Sequence, residues 1–145
     1  DGKLLNELDT EGKTVTSASF SPDGSRVLTT GTDGYVAIWT KSGEEYISHP
    51  LEEINISEDI FFGAISRDAQ KLIVTTEIGQ MFILDTKGNV KETILTPEGP
   101  FTYASFIDQD EKVVGVNSFG YAYIWESPKA QWRRLVAYGQ EQLKK

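Results

Sequence analysis

The chain has 145 residues, 39% hydrophobic and 25% charged, enough for one sizeable core, and no apolar run approaches the ~18 residues of a membrane-spanning helix. Its 22 acids against 14 bases give a net charge of −8, and residues 1–127 hold 21 acids and 9 bases, an acidic body that disfavours nucleic acid as a partner. Zero cysteines exclude disulfides, thiol nucleophiles and thiolate metal sites, and one histidine, His49, leaves little room for imidazole chemistry.

In chain order, Asp1–Leu8 reads as an outer strand, because the spacing Gly2–Gly43–Gly88 sets it where Glu44–Ser48 stands one unit later. Val15–Phe20 is small and apolar in the manner of a strand buried on both faces. Ser21-Pro22-Asp23-Gly24 then carries type I turn chemistry. Arg26–Thr30 reads as a second strand, and Asp33-Gly34 supplies two residues that tolerate positive φ in a tight hairpin. Tyr35–Thr40 is a third strand. Lys41-Ser42-Gly43 turns into a fourth at Glu44–Ser48, whose mixed polarity suits an outer edge.

The unit then recurs. Offsets of 45 and 41 residues relate Phe20, Ile65 and Phe106, and the same two offsets relate Val27/Leu72/Val113, Gly34/Gly79/Gly120 and Trp39/Leu84/Trp125. Four antiparallel strands every ~40–45 residues is the period of a propeller blade. After Trp125-Glu126 no fourth strand follows. Ser127-Pro128 matches a helix N-cap with Pro at the first helical position, and Trp132, Leu135, Val136, Gly139 and Leu143 recur at helical spacing. Residues 128–145 therefore read as a short basic C-terminal α-helix, with five bases against Glu141. That basic end is either a solvated face or a segment that docks on the acidic body or on a neighbouring chain.

Phe20-Ser21-Pro22-Asp23-Gly24 followed by Asp33-Gly34-Tyr35-Val36-Ala37-Ile38-Trp39 resembles a WD-repeat β-propeller, and the resemblance covers about residues 1–127. It implies an all-β fold of four-stranded antiparallel blades: an orphan outer strand at 1–8, blade one at 13–48, blade two at 58–95 and blade three at 100–126 without its outer strand. The Gly-His pair expected before each first strand is missing, and the Asp expected after the Trp survives only as Asp85, beside Leu84. The His–Ser/Thr–Asp–Trp network of regular blades is thus incomplete, and the blades depend more on apolar packing. A closing helix is similar to what bacterial multidomain WD-repeat proteins carry.

Catalytic patterns are weak. His49 sits in Ser48-His49-Pro50, read as a surface connection after an outer strand, and Glu44-Glu45 and Glu52-Glu53 lack the company that tunes a catalytic carboxylate. Asp108-Gln109-Asp110-Glu111 lacks the glycine and spacing of a calcium loop. No enzyme activity, metal or other cofactor is expected. In the resembled family, loops joining fourth to first strands and second to third strands share one face that binds protein partners. On this chain those loops present Lys13 and Thr14, Thr32, Glu58 and Asp59, Ile78, Glu98 and Phe101, and Phe119. Ile78 and Phe119 stand where a polar turn residue is expected, and they either anchor a partner or tuck against the neighbouring blade.

Three blades cannot close a ring that needs roughly 4–8. The chain is therefore expected either to be the C-terminal sensor or scaffold portion of a larger protein or to close a ring with copies of itself or with complementary blades. The missing initial Met and the terminal helix favour the first reading, and a cytoplasmic location is expected. The expected partner is a protein or peptide, with no role for a membrane.

Overall fold

The computed structural model describes residues 2–51, 54–94, 96 and 99–127. Among them the chain forms three antiparallel sheets. The first orders β1 (Val15–Phe20), β2 (Arg26–Gly31), β3 (Val36–Ser42) and β4 (Glu45–Pro50) side by side. The second does the same with β5 (Ile60–Ile65), β6 (Lys71–Thr76), β7 (Met81–Asp85) and β8 (Val90–Ile94). The third has three strands, β9 (Phe101–Ile107), β10 (Lys112–Asn117) and β11 (Ala122–Glu126). No helix among the described residues is long and apolar enough to cross a membrane. The expected helix at 128–145 lies outside the described residues.

Side chains of successive strand residues point to opposite faces, so each sheet offers one face forward and one back. Leu28, Val36 and Ile38 of the first sheet meet Ile60, Leu72, Val74 and Leu84 of the second in one buried cluster. Ile73, Met81 and Ile83 leave the other side of the second sheet and meet Phe101, Ala104 and Val113 of the third. Polar bonds lock the inner strands across the first boundary. Ser19 Oγ donates to the Gly63 carbonyl at 2.8 Å, the Gly63 amide donates to Ser17 Oγ at 3.2 Å, and Thr16 Oγ1 donates to the Ile60 carbonyl.

The turns between first and second strands explain the repeated Ser-x-Asp. Ser21 Oγ donates to Asp23 Oδ1 at 2.6 Å, and Ser66 Oγ donates to Asp68 Oδ1 at 2.7 Å. Each aspartate also accepts a backbone amide two residues on, from Ser25 and Gln70 at 3.0 Å. The third turn has Ile107 in place of the serine, and the chain takes another path. Asp108, Gln109 and Asp110 all have positive φ, and the Asp110 carboxylate accepts the amides of Arg67 at 2.9 Å and Asp68 at 3.2 Å. Asp85 closes the β7–β8 turn, accepting the amides of Lys87 and Asn89 and pairing with Lys91 at 3.0 Å.

Three expectations change. Residues 2–8, from the span 1–8 expected as an outer strand, are irregular: a fourth strand forms only against a third, and no described strand pairs with them. Leu8 instead packs on Val27, Ala37 and Trp39, together with Tyr35 and Tyr46. The strand expected to be buried on both faces, β1, is largely exposed, with Phe20 at 65%, because its forward side has no blade against it. His49 lies within β4 and not in a connection, its Nε2 2.8 Å from Thr40 Oγ1.

Candidate protein-interaction face

The hairpins between second and third strands and the connections entering the first strands meet at one edge of the three sheets. In the first hairpin Asp33 and Gly34 have φ of 53° and 68°, and the Tyr35 amide donates to the Thr32 carbonyl at 3.1 Å. This is the geometry that Asp-Gly favours. Gly34 is also required for space, since a Cβ there would stand 1.7 Å from the Ile56 carbonyl oxygen. The other hairpins carry Ile78 and Phe119 where Asp33 stands. A β-branched Ile resists positive φ, and in these two hairpins the glycine alone is left-handed, with φ of 85° at Gly79 and 87° at Gly120. The Gly79 amide closes the turn on the Thr76 carbonyl at 3.1 Å, and Asn117 Oδ1 accepts the amides of Phe119 and Tyr121.

Each hairpin is tied to a connection. The Thr32 amide donates to the Thr14 carbonyl at 3.1 Å and the Gly34 amide to the Glu58 carbonyl at 3.0 Å. Asp59 serves two hairpins: its Oδ1 accepts the Asp33 amide at 2.9 Å and its carbonyl accepts the Glu77 amide at 2.9 Å. The Ser118 amide donates to the Pro100 carbonyl at 3.0 Å. Backbone groups that would otherwise be mobile loop donors are thereby paired, and the edge is rigid.

This arrangement gathers Thr14, Thr32, Glu58, Asp59, Ile78 and Phe119 from the expected set. Ile78 is 60% exposed. Phe119 lays its ring over Gly99, whose Cβ position would be 2.5 Å from the ring, yet it stays 63% exposed. Glu98 lies outside the described residues. Phe101 is not on this face: it is fully buried, with ring centroids 5.9 Å from Tyr123 and 5.6 Å from Trp125. The offsets contained this answer, because Phe101 is the counterpart of Ile60, a core residue with 0% exposure. Tyr121, 62% exposed beside the third hairpin, and Glu77 join the face without having been singled out.

The carboxyls held well below their ordinary range lie in turns away from this face. The Ser21 hydroxyl, then the Ser25 amide and hydroxyl, hold Asp23 at about 2, and Ser66 with the Gln70 amide lowers Asp68. At Asp85 burial pushes upward, but hydrogen bonds from Asn89 and Lys91 outweigh it and the carboxyl is lowered. Among the described residues no three His, Asp or Glu side chains gather closely enough to hold a metal ion.

No family model matches the chain. It is 27% identical over 134 residues to human Tubby-related protein 4 and 26% identical over 134 residues to the mouse protein, covering 88% of this chain. The chain spans 8% of the length of these relatives. Among solved structures it is similar to the β-propeller domain of Myceliophteria thermophila Cps50 (Swd1), with a TM-score of 0.68, 15% identity, and coverage of 85% of this chain and 38% of that one. It is also similar to the C-terminal WD40 domain of Sif2, with a TM-score of 0.62, 10% identity, and coverage of 79% of this chain and 34% of that one. The fold is that of consecutive blades of a WD40 β-propeller, with the ring incomplete.

Proposed function

We propose that the chain is a non-catalytic protein-interaction platform, working in the cytoplasm as the C-terminal sensor or scaffold portion of a larger WD-repeat protein. The observation that carries this reading is the loop face, where Ile78 and Phe119 stand out from hydrogen-bonded hairpins among Glu58, Asp59 and Glu77. Apolar anchors held rigidly within an acidic rim suit a protein or peptide that offers an apolar side chain flanked by basic residues. The likeness to WD40 domains supports a scaffold role, and the small share of Tubby-related protein 4 that the chain matches supports a place within a longer protein. A bacterial setting rests on the pattern of residues 128–145 alone.

The test is selection of a displayed peptide library on the wild-type chain and on Ile78→Ser/Phe119→Ser. Both side chains are exposed, so the variant should keep its melting temperature, with stability within about 0.5 kcal/mol, and lose the basic, aromatic-containing peptides enriched by the wild type. Unchanged enrichment with a lowered melting temperature would show that the two residues only brace the blades.

A second reading, ring closure with copies of the chain or with complementary blades, is favoured by one comparison. Ile38 and Ile83 are 5% and 6% exposed because the next blade covers them, whereas their counterpart Ile124 is 67% exposed. Light scattering distinguishes the cases, because closure with copies requires a mass two or three times 16.1 kDa.

A further inference from the structure

Beside the first hairpin the molecule has a pocket of about 240 Å³, lined by neither Ile78 nor Phe119. Val36, Leu51 and Ile54 give it apolar walls. Asp33 lines it from the hairpin, and Asp9, Glu11 and Lys13 line it from the connection that enters β1. Three carboxylates against one ammonium leave the lining at −2. Among the described residues no ion pair joins Lys13 to these acids, and no hydrogen bond engages the carboxylates of Glu11 and Asp33. The walls are formed in advance. The Leu51 amide donates to the Val36 carbonyl at 2.9 Å, the Lys13 amide to the Thr10 carbonyl at 3.0 Å and the Glu11 amide to Asp9 Oδ1 at 2.9 Å. A preformed site loses little conformational freedom when it is filled.

We propose that this pocket takes one basic side chain, lysine or arginine, of the protein or peptide bound at the loop face, its charged head among Asp9, Glu11 and Asp33 and its aliphatic stem along Val36, Leu51 and Ile54. The inference rests on the interaction-platform reading and adds an electrostatic contact to the apolar anchors of that reading. Charge supports it, since an acidic lining that its own lysine leaves unpaired attracts a cation and repels acidic partners. The apolar walls support it, because long basic side chains lay their methylenes on apolar surface and keep the head in water. A bare metal ion fits less well, as among the described residues no three of these acids converge closely enough to hold one. Size points the same way: the pocket is smaller than the roughly 300–1,000 Å³ that enclose a whole small ligand, and suits a single side chain. Asp59 holds the first hairpin through its carboxylate and the second through its carbonyl, so the pocket and Ile78 keep a fixed separation. Bound sequences should therefore carry the basic residue at a constant spacing from the apolar one.

Glu11→Gln/Asp33→Asn in the full chain removes two charges and keeps the shape, since asparagine tolerates the φ of 53° at residue 33 as aspartate does. A library peptide enriched on the wild type should bind this variant about tenfold more weakly, the sum of two modest exposed contacts. Replacing the peptide's basic residue by neutral citrulline should weaken wild-type binding to the same degree and binding to the variant little, the coupling expected of groups in contact. Unchanged affinity in the variant, or an equal citrulline loss on both proteins, overturns the proposal. If Ile78→Ser/Phe119→Ser still abolishes binding in that case, the loop-face reading stands and the pocket alone falls; if neither variant alters binding, both fall. The wild type supplies a second readout that needs no variant. Acetylarginine amide should shift the backbone amides of Tyr35, Val36 and Leu51 saturably, and less in added salt, whereas uncharged acetylcitrulline amide should leave them in place. Equal shifts from both compounds, or none from either, overturn the proposal.

Discussion

At the residue scale, Gly115 shows how the third sheet departs from the first. Its counterpart Thr29 accepts a hydrogen bond from Trp39 Nε1 at 2.8 Å, one leg of the polar network that the family resemblance implies. Gly115 offers no hydroxyl and gives space instead. A Cβ there would stand 2.9 Å from Met81 Cε, 2.9 Å from Phe101 Cδ1 and 3.0 Å from Trp125 Cζ3. Met81 can swing its methyl aside, but the two rings are held by their own packing. Replacing glycine within a strand normally gains about 0.5–1 kcal/mol of backbone entropy, whereas overpacking a core costs about 1–3 kcal/mol. The second effect wins. Gly115→Ala should lower stability by about 1–2 kcal/mol in denaturant unfolding, and a variant as stable as wild type would mean that the rings of Phe101 and Trp125 yield freely.

At the element scale, much was legible because each strand and turn repeats its own chemistry. Asp33-Gly34 and the paired Ser-x-Asp turns place one hairpin and two turns where the residues say, and the offsets place the rest. Legibility failed where burial depends on a partner and not on pattern. β1 has the composition of a buried strand, yet its forward face is open, and residues 2–8 have the spacing of a fourth strand yet stay irregular, paired with no described strand. Phe101 was missed because its place in a connection outweighed its register with Ile60. Ile107 gave no hint that Asp108, Gln109 and Asp110 would all turn left-handed, since that follows from losing the serine that holds the other two turns. Those two turns also make a pH prediction. Asp23 falls from the ordinary 3.8 to about 2 in the folded chain, and Asp68 is lowered too. A lowered carboxyl contributes stability that is complete above its unfolded value and lost as pH falls through its folded one. Melting temperature should therefore drop between about pH 4 and about pH 2. Ser21→Ala/Ser66→Ala removes the first cause of both shifts, so the variant should start lower and decline less steeply. An equally steep decline would place the acid sensitivity elsewhere.

At the scale of the whole molecule the two ends of the arc are unlike. On the forward face of the first blade β2 and β3 are covered from within, Val27, Ala37 and Trp39 being buried beneath Leu8, Tyr35 and Tyr46, while β1 leaves Phe20 open. The rear face of the third blade shows Ile124 at 67% exposure with Ala122 beside it on the same side. A copy or a complementary blade approaching the rear face meets bare apolar surface, whereas one approaching the forward face must first lift Leu8 away. Closure into a ring therefore costs more at one contact than the other, and association should begin at Ile124. Ile124→Glu tests this directly. Where light scattering finds the wild type associating as concentration rises, the variant should remain at 16.1 kDa. Under dilute conditions the two should unfold alike, within about 0.5 kcal/mol, because an exposed side chain that touches little contributes little to the isolated chain. A variant that is clearly less stable when dilute would show instead that Ile124 is covered within its own chain, and a variant that still associates would move the contact to another face.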